Sequence, residues 1–112
     1  MDATTKFFEG LEARGHDPRL AKVSATLRFD LTNGKRTARW LVSIDKGDVS
    51  VSHKNAKADC VVRSDSAVFD GIASGELNAF AAALRGKVGI EGNPEVLVIF
   101  QRVFPEPPRG RS

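Results

Sequence analysis

The chain opens with the apolar spacing of an amphipathic helix. From Ala3 to Arg14 the apolar side chains, including Phe7 and Leu11, recur every three to four residues, with most charged positions between them. This period places the apolar residues on one helical face. Gly15 is suited to end the helix, and His16-Asp17-Pro18 is typical of a turn.

From Val23 the apolar period changes to two. Leu27, Phe29 and Leu31 alternate with polar residues, which predicts a strand with one solvated face. Asn33-Gly34 supplies the backbone freedom of a tight hairpin turn. The returning strand has one apolar face made by Ala38, Trp40, Val42 and Ile44.

Two more strands are predicted in this half of the chain. One carries Val49 and Val51, and the other runs from Asp59 to Arg63, with a turn at residues 54–57 between them. Because short loops join all four strands, the pattern predicts an antiparallel meander.

Helical signals dominate the rest of the chain. Ser64 or Asp65 is expected to cap a helix that reaches Ile72 and stops near Gly75, and Asn78 is expected to cap a second over residues 79–84. The pattern of residues 87–91 predicts a fifth strand. Asn93-Pro94 then begins a last helix that carries Val96, Leu97, Ile99, Phe100, Val103 and Phe104. Strands followed by helices predict an α+β fold with helices packed over one face of the sheet.

Length and charge narrow the function classes. The 112 residues suffice for one domain, predicted over 1–104, with a flexible proline-containing tail at 105–112. The net charge of +3 comes from scattered basic residues without a continuous basic stripe, which argues against nucleic-acid binding. A basic rim formed by Lys35, Arg36, Arg39, Lys54 and Lys57 is compatible with transient contact with an anionic membrane surface. A single cysteine and the lack of a secretory or peroxisomal signal lead us to expect a cytoplasmic protein.

Candidate catalytic groups have simpler structural explanations. His16 and His53 are expected to be solvent-exposed, and Cys60 to be a small buried hydrophobe. Asp65 and Asp70 fit helix capping and a solvated helix face, and Gly86-x-x-Gly89-x-x-Gly92 lacks the ending of a phosphate loop. The sequence therefore predicts no enzyme, no metal site and no cofactor.

Several short motifs occur in a characteristic order. They are Trp40–Val49, Ala58–Val62, Gly75-Glu76-Leu77 followed by Phe80, and Gly86–Asn93. The last run fits a Gly-Lys-hydrophobic-x-Ile-x-Gly-Asp/Asn pattern. Over about residues 5–104 this order resembles the sterol-binding domain of the sterol carrier protein 2 (SCP2) family.

The resemblance implies a five-stranded, mainly antiparallel sheet with an apolar cavity between sheet and helices. It also implies non-catalytic binding of a fatty acid, fatty acyl-CoA, sterol-like or other lipid, for lipid transport or sequestration. The side chains then expected to line the cavity are Phe29, Trp40, Val42, Phe69, Ile72, Leu77, Phe80, Leu84, Val96, Ile99, Phe100 and Phe104. Arg39 or Lys87 is the candidate partner of a lipid carboxylate or phosphate.

The pattern leaves a second interpretation open. Aromatic residues at helical spacing usually fill a core, and the sequence does not separate a side chain that lines a cavity from one that fills it. With a filled core, the same fold would serve as a structural, dimerising or accessory module in a lipid or isoprenoid-quinone pathway. A homodimer is compatible with both interpretations.

Overall fold

The computed structural model describes residues 2–105 and contains four α-helices and five β-strands. The helices are α1 (Ala3–Arg14), α2 (Ser66–Ala73), α3 (Ala79–Leu84) and α4 (Pro94–Phe100). The strands are β1 (Ser24–Asn33), β2 (Arg36–Asp45), β3 (Asp48–Ser52), β4 (Cys60–Asp65) and β5 (Val88–Gly92). The α+β prediction is confirmed. Most of the predicted tail, residues 106–112, lies outside the described residues.

The strand order corrects the predicted meander. The sheet runs β3-β2-β1-β4-β5, with β4 parallel to β1 and the other neighbouring pairs antiparallel. After β3 the chain crosses the sheet, and on the way the backbone carbonyl of Ala56 accepts a hydrogen bond from Arg28 on β1. β1, β2 and β3 form the predicted antiparallel meander, but the prediction was wrong for β4, because a period of two assigns the faces of a strand and not its neighbours. The crossing puts the long strand β1 at the centre.

The predicted division of side chains between the two strand faces is confirmed, but the face expected to be solvated is partly covered, since Asp30 is 6% and Leu41 8% exposed. Leu27 pairs with Val42 and Phe29 with Trp40, so both strands present these side chains to the same side of the sheet. Arg28 and Asp30 point to the other side. The β1–β2 turn is displaced by one residue from the prediction, because Asn33 pairs with Arg36 and the turn is Gly34-Lys35.

Helix starts follow the predicted capping residues. Asp65 accepts a hydrogen bond from Ala67 N at the start of α2, and Asn78 accepts from Phe80 N and Ala81 N at the start of α3. Asn93 caps α4 in the same way. The last predicted helix is shorter than expected, because residues 101–103 form a 3-10 turn.

An aromatic cluster fills the space between α1, α2, α4 and the sheet. Phe8 is fully buried, and its ring centroid lies 4.6 Å from that of Trp40, 5.2 Å from Phe29 and 5.7 Å from Phe69. Phe104, after the 3-10 turn, lies 5.3 Å from Phe100. The rings touch one another, so side chains occupy this part of the interlayer space.

A buried carboxylate secures the turn after α1. The side chain of Asp17 is 4% exposed and accepts two hydrogen bonds from the Arg19 guanidinium, which also donates to the carbonyl of Arg102. The hydrogen bond from Arg19 lowers the pKa of Asp17 below its usual value of 3.8, against the opposing effect of burial.

We predict that this carboxylate makes the fold sensitive to acid. A carboxyl group whose pKa is depressed by folding stabilises the protein above its usual pKa, and that stability is lost as the pH falls through the lower, folded value. Asp17→Asn should cost about 1–2 kcal/mol at pH 7, discounted because Arg19 is half exposed. In urea unfolding between pH 7 and pH 3, the variant should lose less stability than the wild type. The exposed Glu12→Gln is the control, and equal pH slopes for Asp17→Asn and wild type would contradict the assignment.

Candidate functional site

An apolar groove lies between α2 and α3. Its volume is about 490 Å³, within the roughly 300–1,000 Å³ typical of small-molecule sites. Its walls are Ala67 and Val68 of α2, Leu77 of the connecting loop, and Ala81 and Ala82 of α3. We call it the α2–α3 groove. Small and aliphatic side chains leave room here that the aromatic cluster does not.

Gly71 sets the position of Leu77 in the groove. A Cβ atom on Gly71 would lie 2.7 Å from Leu77 Cδ1 and 2.9 Å from Leu77 Cγ, so the glycine allows the leucine to pack against α2. The carbonyl of Gly71 also accepts hydrogen bonds from Glu76 N at 2.8 Å and Leu77 N at 3.0 Å. Gly71 therefore contributes both space and hydrogen-bond acceptance to the loop before α3.

Polar and charged side chains form the rim of the groove. Glu76, Asn78, Arg85 and Lys87 complete the lining, and all four are exposed. Within residues 2–105, Arg85 and Lys87 form no ion pair. An apolar wall with two cations at its edge suits a ligand that combines an alkyl chain with an anionic group.

The structure divides the predicted cavity residues into three groups. Those in the packed core are Phe29, Val42, Phe69, Ile72, Val96, Phe100 and Phe104. Those at its partly buried edge are Trp40, Leu77, Phe80 and Ile99. Leu84 is 90% exposed and lies outside the interior. Of the twelve, Leu77 lines the α2–α3 groove.

A second groove lies on the opposite flank of α2. Its volume is about 240 Å³, and it is lined by Trp40 and Leu31 of the sheet together with Thr4 and Asp70. Thr4 donates from its backbone N and its hydroxyl to Asp70, which ties α1 to α2 at this point. The buried ring of Phe69, also on α2, packs in the core with Phe8 and Phe29.

The two candidate head-group partners lie on different faces of the molecule. Lys87 is at the rim of the α2–α3 groove. Arg39 is on the helix-free face of the sheet, where its Nε is 3.6 Å from the buried carboxylate of Asp30. Arg28 holds the same carboxylate with two hydrogen bonds of 2.9 and 3.0 Å, and Arg63 Nε lies 3.7 Å from it. Arg39 is therefore part of a separate arginine cluster and does not line the groove.

The polar residues considered for catalysis have structural roles or are exposed. His16 and His53 are exposed, as predicted, and His16 Nδ1 lies 2.8 Å from Asp48. Cys60 is fully buried, and burial raises the pKa of its thiol, which keeps it in the unreactive neutral form. Within residues 2–105, His, Cys, Asp and Glu residues form no group suited to hold a metal ion. No helix in this part of the chain is long and apolar enough to cross a membrane.

The arrangement defines a class of protein: an α+β domain with helices over one face of a five-stranded mixed sheet and an apolar groove among those helices. The model of the SCP-2 sterol transfer family matches residues 6–105. The chain belongs to this family, whose members are lipid-binding and lipid-transfer domains without chemistry of their own. No curated protein matches the sequence at a significant level.

Solved structures share the fold. The palmitated SCP2L2 from Aedes aegypti superposes with a TM-score of 0.72 at 20% identity, covering 92% of this chain and 94% of that one. The sterol carrier protein domain 2 of Helicoverpa armigera gives 0.73 at 25% identity, with 90% and 87% covered. The sec-alkylsulfatase Pisa1 from a Pseudomonas species gives 0.70 at 21% identity, covering 95% of this chain and 16% of that enzyme. The same domain fold thus occurs alone and within a larger enzyme.

Sequence reasoning missed most of the groove. Ala67, Ala81 and Arg85 were not among the predicted site residues, nor was Gly71. Alanine in a helix carries no signal of ligand binding, since it is the best helix former. A glycine inside a predicted helix was the available clue, because it costs stability there and usually reflects close packing.

Proposed function

We propose that this protein binds one lipid with a long alkyl chain and an anionic head, such as a fatty acid or fatty acyl-CoA, in the α2–α3 groove. The observation that carries the proposal is the apolar wall with Arg85 and Lys87 at its rim. Membership of a lipid-transfer family supports it. The bound lipid would be carried or sequestered unchanged, and we propose the cytoplasm as the location.

The free energy expected from burying the alkyl chain is compatible with a carrier role. Each methylene moved out of water contributes about 0.8 kcal/mol, so ten to twelve contribute roughly 8–10 kcal/mol before ordering costs. A groove that is open on one side buries less than this. Since a micromolar dissociation constant corresponds to about 8 kcal/mol, the net affinity is expected to be weaker than micromolar unless pairing with Arg85 or Lys87 adds to it, which suits a carrier that must release its lipid.

Longer chains are proposed to reach inward from the groove. Leu77 forms its wall, and the predicted cavity residues behind it include Phe69 and Ile72, which pack in the core of this structure. A chain that passes them must shift the aromatic rings toward the sheet. Trp40 stacks on Phe8 at 4.6 Å, so it reports such a shift.

The test is a titration with fatty acids of increasing length. Binding is measured by isothermal calorimetry and native mass spectrometry, and the emission of Trp40, the single tryptophan, is followed in parallel. We expect saturable one-to-one binding of chains of about twelve or more carbons, and weak binding of short ones. A change in Trp40 emission is expected with the longest chains. Absence of any bound lipid in both measurements would rule the proposal out.

A second candidate function is a structural or accessory role with a filled core. The observation that favours it is the close packing of Phe8, Phe29, Phe69 and Phe100. In that case the partner is a second copy or another protein, and no lipid binds. Light scattering after size exclusion and the fatty acid titration together separate the two candidates, because only a stable dimer that binds no lipid supports the second.

A further inference from the structure

One large apolar side chain stands out on the surface. Leu84, the last residue of α3, is 90% exposed, whereas the next most exposed large apolar residue among residues 2–105, Val98, is 55% exposed. A single exposed leucine is common on protein surfaces and indicates nothing alone. Its surroundings are what distinguish it.

The backbone holds this leucine in a fixed position. After Leu84 the helix is closed by two hydrogen bonds, Lys87 N to Ala82 O at 2.9 Å and Gly86 N to Ala83 O at 3.0 Å. This pair of bonds, with Gly86 at a φ of 76°, is the Schellman closure of a helix. The backbone of the segment Leu84-Arg85-Gly86-Lys87, which we call the α3 tip, is therefore ordered.

The α3 tip continues the apolar wall of the α2–α3 groove. Ala81 is exposed in that groove and lies one helical turn before Leu84, so the two share a face of α3. Arg85 and Lys87 follow Leu84 closely, and both are exposed. An exposed leucine next to two cations is complementary to an anionic bilayer, where the leucine can enter the acyl region and the cations can meet the phosphates.

We propose that the α3 tip docks the protein on anionic phospholipid bilayers. The inference rests on the proposed function in one respect, since the tip lies at the rim of the groove that would receive the lipid. A lipid that leaves the bilayer at this point first meets the apolar wall of the groove at Ala81. Lys54 and Lys57, which belong to the predicted basic rim, do not line the groove.

The experiment uses sedimentation with vesicles of phosphatidylglycerol and phosphatidylcholine at an ionic strength of about 0.15 M, where a Debye length of about 8 Å limits attraction by distant charges. We expect the wild type to bind, Leu84→Ala to bind about tenfold more weakly, and Arg85→Gln/Lys87→Gln about 25-fold more weakly, or about fivefold per cation. The control Lys54→Gln/Lys57→Gln removes the same charge elsewhere and should stay within about twofold of the wild type. Val98→Ala is the matched apolar control, and it should also bind like the wild type.

Two outcomes overturn the inference. One is a wild type that does not sediment with the vesicles. The other is a loss in Lys54→Gln/Lys57→Gln as large as in the tip variants, which would mean attraction by net charge alone. Fatty acid titration of the wild type without vesicles separates this failure from failure of the proposed function. Lipid bound in solution with no vesicle binding removes the docking surface and leaves the groove assignment standing.

Discussion

Replacing Ala81 by phenylalanine is expected to weaken lipid binding by at least tenfold. Ala81 is exposed and lines the α2–α3 groove, so a larger side chain there occupies ligand space without entering the core. Excluding two to three methylenes of the ligand from the groove costs about 2 kcal/mol, which is more than tenfold in affinity. Calorimetric titration with a long-chain fatty acid measures the effect.

The matched control for this variant is Ala13→Phe. Ala13 is an exposed alanine near the end of α1, away from the groove lining, so the same substitution there should leave affinity within about twofold. Gly71→Ala alters the opposite wall of the groove, because its new Cβ would displace Leu77 from α2. If Ala81→Phe and Gly71→Ala both bind lipid like the wild type while remaining folded, the lipid occupies another part of the molecule.

The second large effect is on stability: Phe8→Ala is expected to lower the free energy of unfolding by about 3–5 kcal/mol. Phe8 is 0% exposed and contacts Phe29, Trp40 and Phe69, so its removal leaves a cavity among rings that are already packed. A loss of this size is a large share of the stability of a small domain. Urea unfolding followed by Trp40 emission gives the value.

Leu84→Ala serves as the control for Phe8→Ala. It also truncates a large apolar side chain to alanine, but at a position that is 90% exposed, and its effect should stay within about 0.5 kcal/mol. A loss of less than about 1 kcal/mol in the free energy of unfolding for Phe8→Ala, with an unchanged urea dependence, would show that the interior repacks at low cost. That outcome would weaken the filled-core interpretation and favour an interior that can open for a lipid.

The acid sensitivity expected from Asp17 and the docking expected from the α3 tip concern regions outside the aromatic cluster. Asp17 joins the turn after α1 to Arg102 near the end of the described chain, through Arg19. The α3 tip lies at the edge of the groove. Acid stability is therefore expected to respond to different substitutions from the other two properties. Lipid binding and membrane docking share Arg85 and Lys87, and Leu84→Ala, which lies outside the groove lining, separates them.

Local sequence pattern determined the elements of this fold. The bounds of α1 and α3 were predicted to the residue, since apolar spacing, Gly15 and the Asn78 cap all depend on neighbours in sequence. The faces of β1 and β2 followed from alternation. The motif order between residues 40 and 93 identified the family, which the match over residues 6–105 confirmed.

The tertiary structure decided the features that join distant residues. The parallel pairing of β4 with β1 depends on a crossing that no local period encodes. Likewise, Gly71 and Leu77 meet because a loop folds back on α2, and this contact shapes the groove. Leu84 was expected to line the cavity, whereas its position at the end of α3 leaves it 90% exposed. Sequence pattern gives each side chain a face of its own element, and only packing between elements determines what that face meets.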